Sequence, residues 1–318
     1  MNYFLIELSF DTAVHFGTSD SALSLSTSGQ TFCADTLFSA LCHTAVAMAG
    51  SKGAEQLCEA VRQGRLRFTD GMPWRGDTLY LPKPLLPAAF DETLSTDKRK
   101  KIKKLAWLPV PSMDSYLASL RGGSFEAKEE PGFGVCYELT KAAVHDAADS
   151  EPYQVGLFRF APGCGLYMII ACAGMETMEH LRPLLEALGQ SGMGGKVSAG
   201  YGRFHIEDEI LLDEPFDEQT EWLHRALTAA HGPYLMLTTS LPRDEELDGA
   251  LEGASFQLIR RGGFVAAQGA SAKKKTQHFL RAGSVLNTVY EGALYDVAAD
   301  KTHPAFRYSK PVFLGVTM

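Results

Sequence analysis

Five glycines, Gly192, Gly194, Gly195, Gly200 and Gly202, fall between residues 192 and 202. A regular helix or strand does not run through such a stretch, because each glycine adds backbone freedom and removes a side chain that could pack. Immediately before it, Met178, Leu181, Leu185 and Leu188 recur at three and four. They predict a helix over Met175–Leu188 with Gly189 as its carboxy-terminal cap. After it, residues 201–206 predict a strand. The order helix, glycine turn, strand reverses that of a dinucleotide-binding turn. The spacing satisfies neither GxGxxG nor a nucleotide P-loop, where a hydroxyl should follow the lysine and Val197 follows Lys196. Two readings fit the turn. It is a phosphate cradle, with amides free to approach and Lys196 and Arg203 as cations, or it is a helix cap whose glycines satisfy positive φ. Tyr201 offers a ring for stacking in the first reading.

The rest of the chain gives this turn a context. Phe4, Ile6, Leu8 and Phe10 alternate onto one face of an opening strand. Leu37, Phe38, Leu41, Ala45 and Met48 follow at helical spacing, with Asp35 placed to cap the first turn. Residues 77–86 predict a strand, and residues 91–108 a short helix ending before Pro109. Residues 121–149 read as an inserted hairpin, and residues 155–160 and 165–173 as two strands. Beyond the acidic block 207–221, strands are expected at 234–240, 255–260, 264–268, 285–290 and within 311–316. The order suits an α+β fold with an antiparallel sheet and helices on one face, two ferredoxin-like domains in tandem. The expected division is 1–212, with an insertion around 85–150, and 213–318.

Charge distribution matters more than its total. A net charge of -8 argues against an indiscriminate polyanion binder. Yet residues 207–256 hold 2 basic and 13 acidic side chains, whereas residues 257–283 hold 6 basic and 0 acidic ones. Three stretches are free to be positive: residues 98–104, the glycine turn through Arg203, and residues 260–281. The six cysteines never form CxxC and the histidines show no metal-ligand spacing, so no metal or other cofactor is expected. Glu7 interrupts the apolar start and the first basic residue is Lys52, so no secretory signal or membrane span is expected, and the cytoplasm is the expected compartment.

The segment Gly192–Phe204, GMGGKVSAGYGRF, resembles the glycine-rich loop of the RAMP superfamily of CRISPR proteins. VHFG at 14–17, FCADTLFSALC at 32–42, GLFRF at 156–160, RRGGFV at 260–265 and HPAFRYSKPVFLGV at 303–316 resemble, in order, the fourth subunit of the type III-A Csm complex. The resemblance implies a non-catalytic RNA-binding scaffold. Its expected partners are the five-prime tag of the CRISPR RNA, the large polymerase-like subunit and the adjacent backbone RAMP subunit. The loop residues it assigns to RNA are Gly192, Gly194, Gly195, Lys196, Ser198, Gly200, Tyr201 and Arg203. His15, Arg260, Arg261, Lys273, Lys274 and Lys275 join them as basic or loop candidates. Val197, Ala199 and Ser309 depart from the family pattern. A thumb-like hairpin that wedges into the guide–target duplex is expected within 121–149, and Tyr116, Phe125 and Phe133 are either wedge residues or local packing.

Other readings stay open on the sequence. His15 is a general base of a metal-independent endoribonuclease, or a structural or RNA-contacting histidine. KRKKIKK is a solvated helical face, or a site for RNA or a partner. The acidic block is a connector, or a surface that faces protein.

Overall fold

The computed structural model describes residues 1–17, 25–87, 96–123, 125–127, 132–145, 148–267, 270–299 and 304–316. The amino-terminal half begins with β1 (Asn2–Phe10) and α1 (Ala34–Arg62), followed by β2 (Leu66–Phe68), β3 (Met72–Arg75) and β4 (Thr78–Pro82). Then come α2 (Thr96–Lys104), β5 (Trp107–Pro109), α3 (Met113–Ser119), β6 (Gly134–His145) and β7 (Ala148–Phe160). It closes with β8 (Cys164–Cys172), α4 (Met175–Ser191) and β9 (Phe204–Leu211). Antiparallel pairing runs β5-β4-β3-β8-β1-β9, and β2 also pairs with β8.

The two central strands are buried on both faces. Every residue of β8 is buried. On β1, Phe4, Ile6 and Leu8 pack with Leu37 and Leu41 of α1 and Leu181 and Leu185 of α4. Leu5 points the other way, into a cluster with Ile169, Leu117, Leu223, Leu235 and Leu314. One face of the sheet therefore carries α1 and α4, as the helical periodicity predicts. The opposite face is covered by the insertion and by the second half of the chain. Alternation alone marked one apolar face; Leu5 needed the second half to become visible as core.

Glu7 sits in this sheet at a cost. It lies opposite Tyr167 on β8 and Asp208 on β9. Burial, with Asp208, Glu207 and Asp77 nearby, pushes its carboxyl up to about 7. The folded state thus keeps a proton that the unfolded chain has lost, so stability falls as pH rises from about 4.5 to 7. Glu7→Gln removes that slope. Since the side chain is partly solvated, screening reduces the gain to about 1 kcal/mol at pH 8 and none at pH 4. Urea unfolding of both proteins at the two pH values measures it; an equal gain at both would refute the linkage.

The second half contains α5 (Glu218–Leu227), β10 (Tyr234–Met236), α6 (Leu247–Leu251) and β11 (Leu258–Arg261). Strands β12 (Phe264–Ala267), β13 (Ala270–Lys273), β14 (Gln277–Leu280) and β15 (Val285–Leu286) follow. The last are β16 (Ala293–Asp296), β17 (Phe306–Ser309) and β18 (Phe313–Gly315). A three-stranded sheet β15-β10-β18 is joined by the pairs β11–β14, β12–β13 and β16–β17. Asp217 and Thr220 form a reciprocal capping box that starts α5.

Several predicted boundaries move. Helix α4 runs on to Ser191, and Gly192 rather than Gly189 ends it, with φ of 91° and its N–H on the Leu188 carbonyl. The strand predicted at 201–206 starts at Phe204 and continues into the acidic block, ending at Leu211. The inserted hairpin exists, but its strands are β6 and β7, so its register lies later than 121–149 and its tip, 146–147, is outside the described residues. Tyr116 and Phe133 are buried; Tyr116 meets the ring of Phe125 and Phe133 that of Tyr80, which is local packing.

Candidate functional site

The glycine turn leaves the end of α4 and lies against the β6–β7 hairpin at the Lys141–Tyr153 pair. Four of its glycines are there because nothing larger fits. A Cβ on Gly192 would lie 2.5 Å from the Tyr201 carbonyl oxygen, on Gly194 2.7 Å from that of His15, and on Gly202 2.1 Å from that of Met193. On Gly195 it would meet the His15 ring at 2.4 Å. Hydrogen bonds lock the same contacts: Met193 N–H to Gly202, Gly195 N–H to His15 and Gly202 N–H to Ala13. Gly200 differs, with φ of 85° and open space where a Cβ would stand. The cap reading thus explains the base of the turn, and its tip stays open. Between them, Val197–Ala199 form one 3-10 turn whose side chains are exposed. The amides of Lys196, Val197 and Ser198 donate to no acceptor among the described residues.

The hairpin clamps the turn through two cation–π contacts. Lys196 Nζ lies 4.7 Å from the centre of the Tyr153 ring, and Lys141 Nζ lies 4.5 Å from that of Tyr201. Each pair joins a residue of the turn to one of the hairpin, and each is worth roughly 0.5–1 kcal/mol when partly exposed. Arg203 is exposed at the other end, its N–H held by the Thr12 hydroxyl. His15 is buried; its Nδ1–H donates to the Gly156 carbonyl at 2.7 Å, and its ring supports Gly195.

A groove of about 740 Å³ runs from Gly192, Gly194 and Val197 along α1 to Arg261, Lys274 and Arg307. A second cleft, of about 920 Å³, lies between the two halves, with Lys83, Lys103, Arg260 and Arg281 on its walls beside Gly17, Gly29 and Thr31. Arg261 lines both, and its partner Asp35, on the wall of the first, does not cap α1. The first amide of the helix, at Ala34, is bonded instead by Asp70 Oδ1 at 2.8 Å. Asp70 also accepts the Thr239 N–H at 3.0 Å and the Thr239 hydroxyl at 2.6 Å, and burial pushes its carboxyl up to about 6. Asp35 grips Arg261 through both carboxylate oxygens and lies 3.8 Å from Arg307 Nε. Arg261, a basic RNA candidate on the sequence, is thus held to Asp35 as a clamp between the halves on a wall that both grooves share.

The remaining predicted residues divide. Arg260, Lys273 and Lys275 are exposed, and Lys274 is half-buried in the groove, its ammonium pKa lowered by desolvation and by Arg307. The basic helix α2 turns Ile102 inward and leaves Lys100, Lys101, Lys103 and Lys104 exposed, while Lys83 Nζ caps its last carbonyls. Among the described residues no group of three or more His, Cys, Asp or Glu is placed to hold a metal ion. No helix among them is long and apolar enough to cross a membrane.

Residues 230–316 match the family model of the CRISPR Csm4 C-terminal domain. The chain is 34% identical to a CRISPR system protein Csm4 of Mycobacterium tuberculosis, across 99% of this chain and 98% of that protein. The chain belongs to the Csm4 family. A Csm4 of Streptococcus thermophilus is 31% identical across 98% of each. Among solved structures, the fold is similar to a Csm3–Csm4 subcomplex of a type III-A interference complex, with a TM-score of 0.66 and 14% identity over 100% of each chain. It is also similar to a Csm1–Csm4 cassette in complex with pppApA, with a TM-score of 0.62 and 18% identity over 100% of this chain and 99% of that one.

Two features of this Csm4-family chain escaped sequence reasoning. Lys141 and Tyr153 lie far from the turn in sequence, and their only local signal was the alternation of β6 and β7. The Asp35–Arg261–Arg307 cluster was hidden because an aspartate before a helical pattern reads locally as a cap.

Proposed function

We propose that this chain is the Csm4-type subunit of a type III-A CRISPR interference complex and anchors the five-prime tag of the CRISPR RNA without cleaving it. The observation that carries the reading is the open tip of the glycine turn. There, Lys196 and Arg203 flank exposed, unbonded amides at the mouth of a groove that leads to Lys274. Backbone amides and cations of this kind bind phosphates in any sequence; base contacts elsewhere supply specificity. The -8 charge is compatible with this because 13 of the acidic side chains fall within residues 207–256, outside the turn. By analogy with the Csm1–Csm4 and Csm3–Csm4 structures, the partners are the large subunit and a backbone subunit. A division into 1–212 and 213–318 is part of the same reading. The order β9-β1-β8-β2, with α1 and α4 as its crossovers, supports a ferredoxin-like first unit, and the shorter sheets of the second fit a reduced version of it.

The burial of His15 and its bond to Gly156 favour a structural histidine over a general base. Incubated with labelled precursor RNA in EDTA, the chain should yield no product. In the assembled complex, replacing both Lys196 and Arg203 by alanine should lower guide retention at least tenfold. It should also flatten the log–log salt dependence by about 1.4, two contacts at ~0.7 each for single strands. Filter binding across a salt series measures both. Unchanged retention would remove the turn from the RNA path.

A further inference from the structure

The hairpin and the glycine turn meet through four side chains set crosswise. Lys141 and Tyr153 are register partners on β6 and β7, so they belong to the same face of the hairpin. Lys196 and Tyr201 stand on either side of the 3-10 turn at Val197–Ala199. The Lys196 ammonium lies over the Tyr153 ring and the Lys141 ammonium over the Tyr201 ring. Both rings also pack, partly buried, against the apolar cluster of Ala13, Val155 and Leu157. Among the described residues no carboxylate pairs with either ammonium.

We propose that Tyr153 and Tyr201 are stacking platforms for two unpaired RNA bases, and that Lys141 and Lys196 leave these rings for phosphates of the same strand. This rests on the turn being an RNA contact, and it adds the hairpin as the second wall of that contact. A tyrosine face that attracts a cation offers a base its stacking surface, and that face holds one or the other. The exchange runs toward RNA because an exposed cation–π contact is weaker than both contacts that replace it. A base stacked on the ring makes the stronger use of its face, and a phosphate gives the ammonium a charge-assisted hydrogen bond. The strand is single at this point, since in a duplex the neighbouring pairs cover the faces of each base.

The crossed arrangement also explains why the sequence alone assigned only half of the site. Lys196 and Tyr201 belong to the glycine motif, whereas Lys141 and Tyr153 reach it through the register of the hairpin.

The experiment uses the assembled complex and two guides of equal length. One is unmodified; the other carries abasic riboses throughout its five-prime segment, which keeps the phosphates and removes the bases. Tyr153→Leu should lower retention of the unmodified guide about fivefold, the lower end of base–aromatic stacking, and leave retention of the abasic guide nearly unchanged. Tyr153→Phe, which restores the ring, should recover what leucine loses. Lys141→Gln should weaken both guides and flatten the log–log salt dependence by about 0.7, one phosphate contact on a single strand. An equal loss on both guides from Tyr153→Leu would overturn the proposal, because the ring would then serve only to clamp the hairpin. No loss on either guide would overturn it as well. The Lys196 and Arg203 double alanine variant separates this failure from that of the wider reading. If it still releases the guide, the turn remains an RNA contact and only the platforms fail; if it does not, both fall.

Discussion

Replacing Asp35 with alanine should destabilise the chain by about 3–5 kcal/mol, the loss associated with stranding buried charge. The carboxylate is 8% exposed and faces Arg261 at 19% and Arg307 at 3%. Removing it leaves two guanidiniums inside the protein with too few acceptors. Arg307 keeps the carbonyls of Lys275 and Gly262 and the Gln277 side chain, so it stays in place but uncompensated. Without Asp35, Arg261 keeps the Thr36 hydroxyl and should swing into the cleft. Urea unfolding gives the magnitude, and Asp35→Asn, which retains hydrogen bonding without charge, should recover part of it. A loss below ~1 kcal/mol would mean that water already shares the pair. Since Asp35 sits on α1 and both arginines lie beyond residue 257, the variant should also loosen the two halves, visible as earlier proteolysis between them.

The second large effect is expected at Gly202. Alanine there puts a Cβ 2.1 Å from the Met193 carbonyl oxygen at a φ of 77°, so backbone strain and a clash against rigid backbone add together. The left-handed conformation costs ~1–2 kcal/mol and the overlap ~1–3 kcal/mol more. A total of about 2–5 kcal/mol follows, with loss of the paired bonds from Met193 to Gly202 and from Gly202 to Ala13. Gly200→Ala is the matched control. Its φ of 85° carries the same conformational cost, but no atom lies within 4 Å of the new Cβ. Thermal melts should therefore separate the two by several degrees, and equal melting points would refute the steric account. Guide retention should order them differently, because only the Gly200 side of the turn faces outward.

How much of this was legible follows from where each signal resides. β1, α1 and α4 repeat their apolar residues at the period of the element and β8 is one continuous apolar run, so Phe4, Ile6, Leu8 and the Leu181–Leu185 stripe are legible locally. The second half was harder. Strands such as β15, with only Val285 and Leu286, are too short to show a period, and β16 carried no turn signal that singled it out. The turn's glycines were visible, but not which of them were steric. That depends on Met193, His15 and Tyr201 arriving opposite, a matter of tertiary register. Charges misled in the same way. Asp35 has the composition of a cap, and a partner more than two hundred residues away outweighed the local preference.

Lys196 is the only residue other than glycine with positive φ among those described, at 61°. A glycine would adopt that conformation more easily, by about 1 kcal/mol. The turn already shows how readily this chain supplies glycine at neighbouring positions. The lysine forgoes that ease and sets its ammonium 4.7 Å from the centre of the Tyr153 ring. The shape of the turn belongs to its glycines, and one of its ties to the hairpin sits where the glycine pattern breaks.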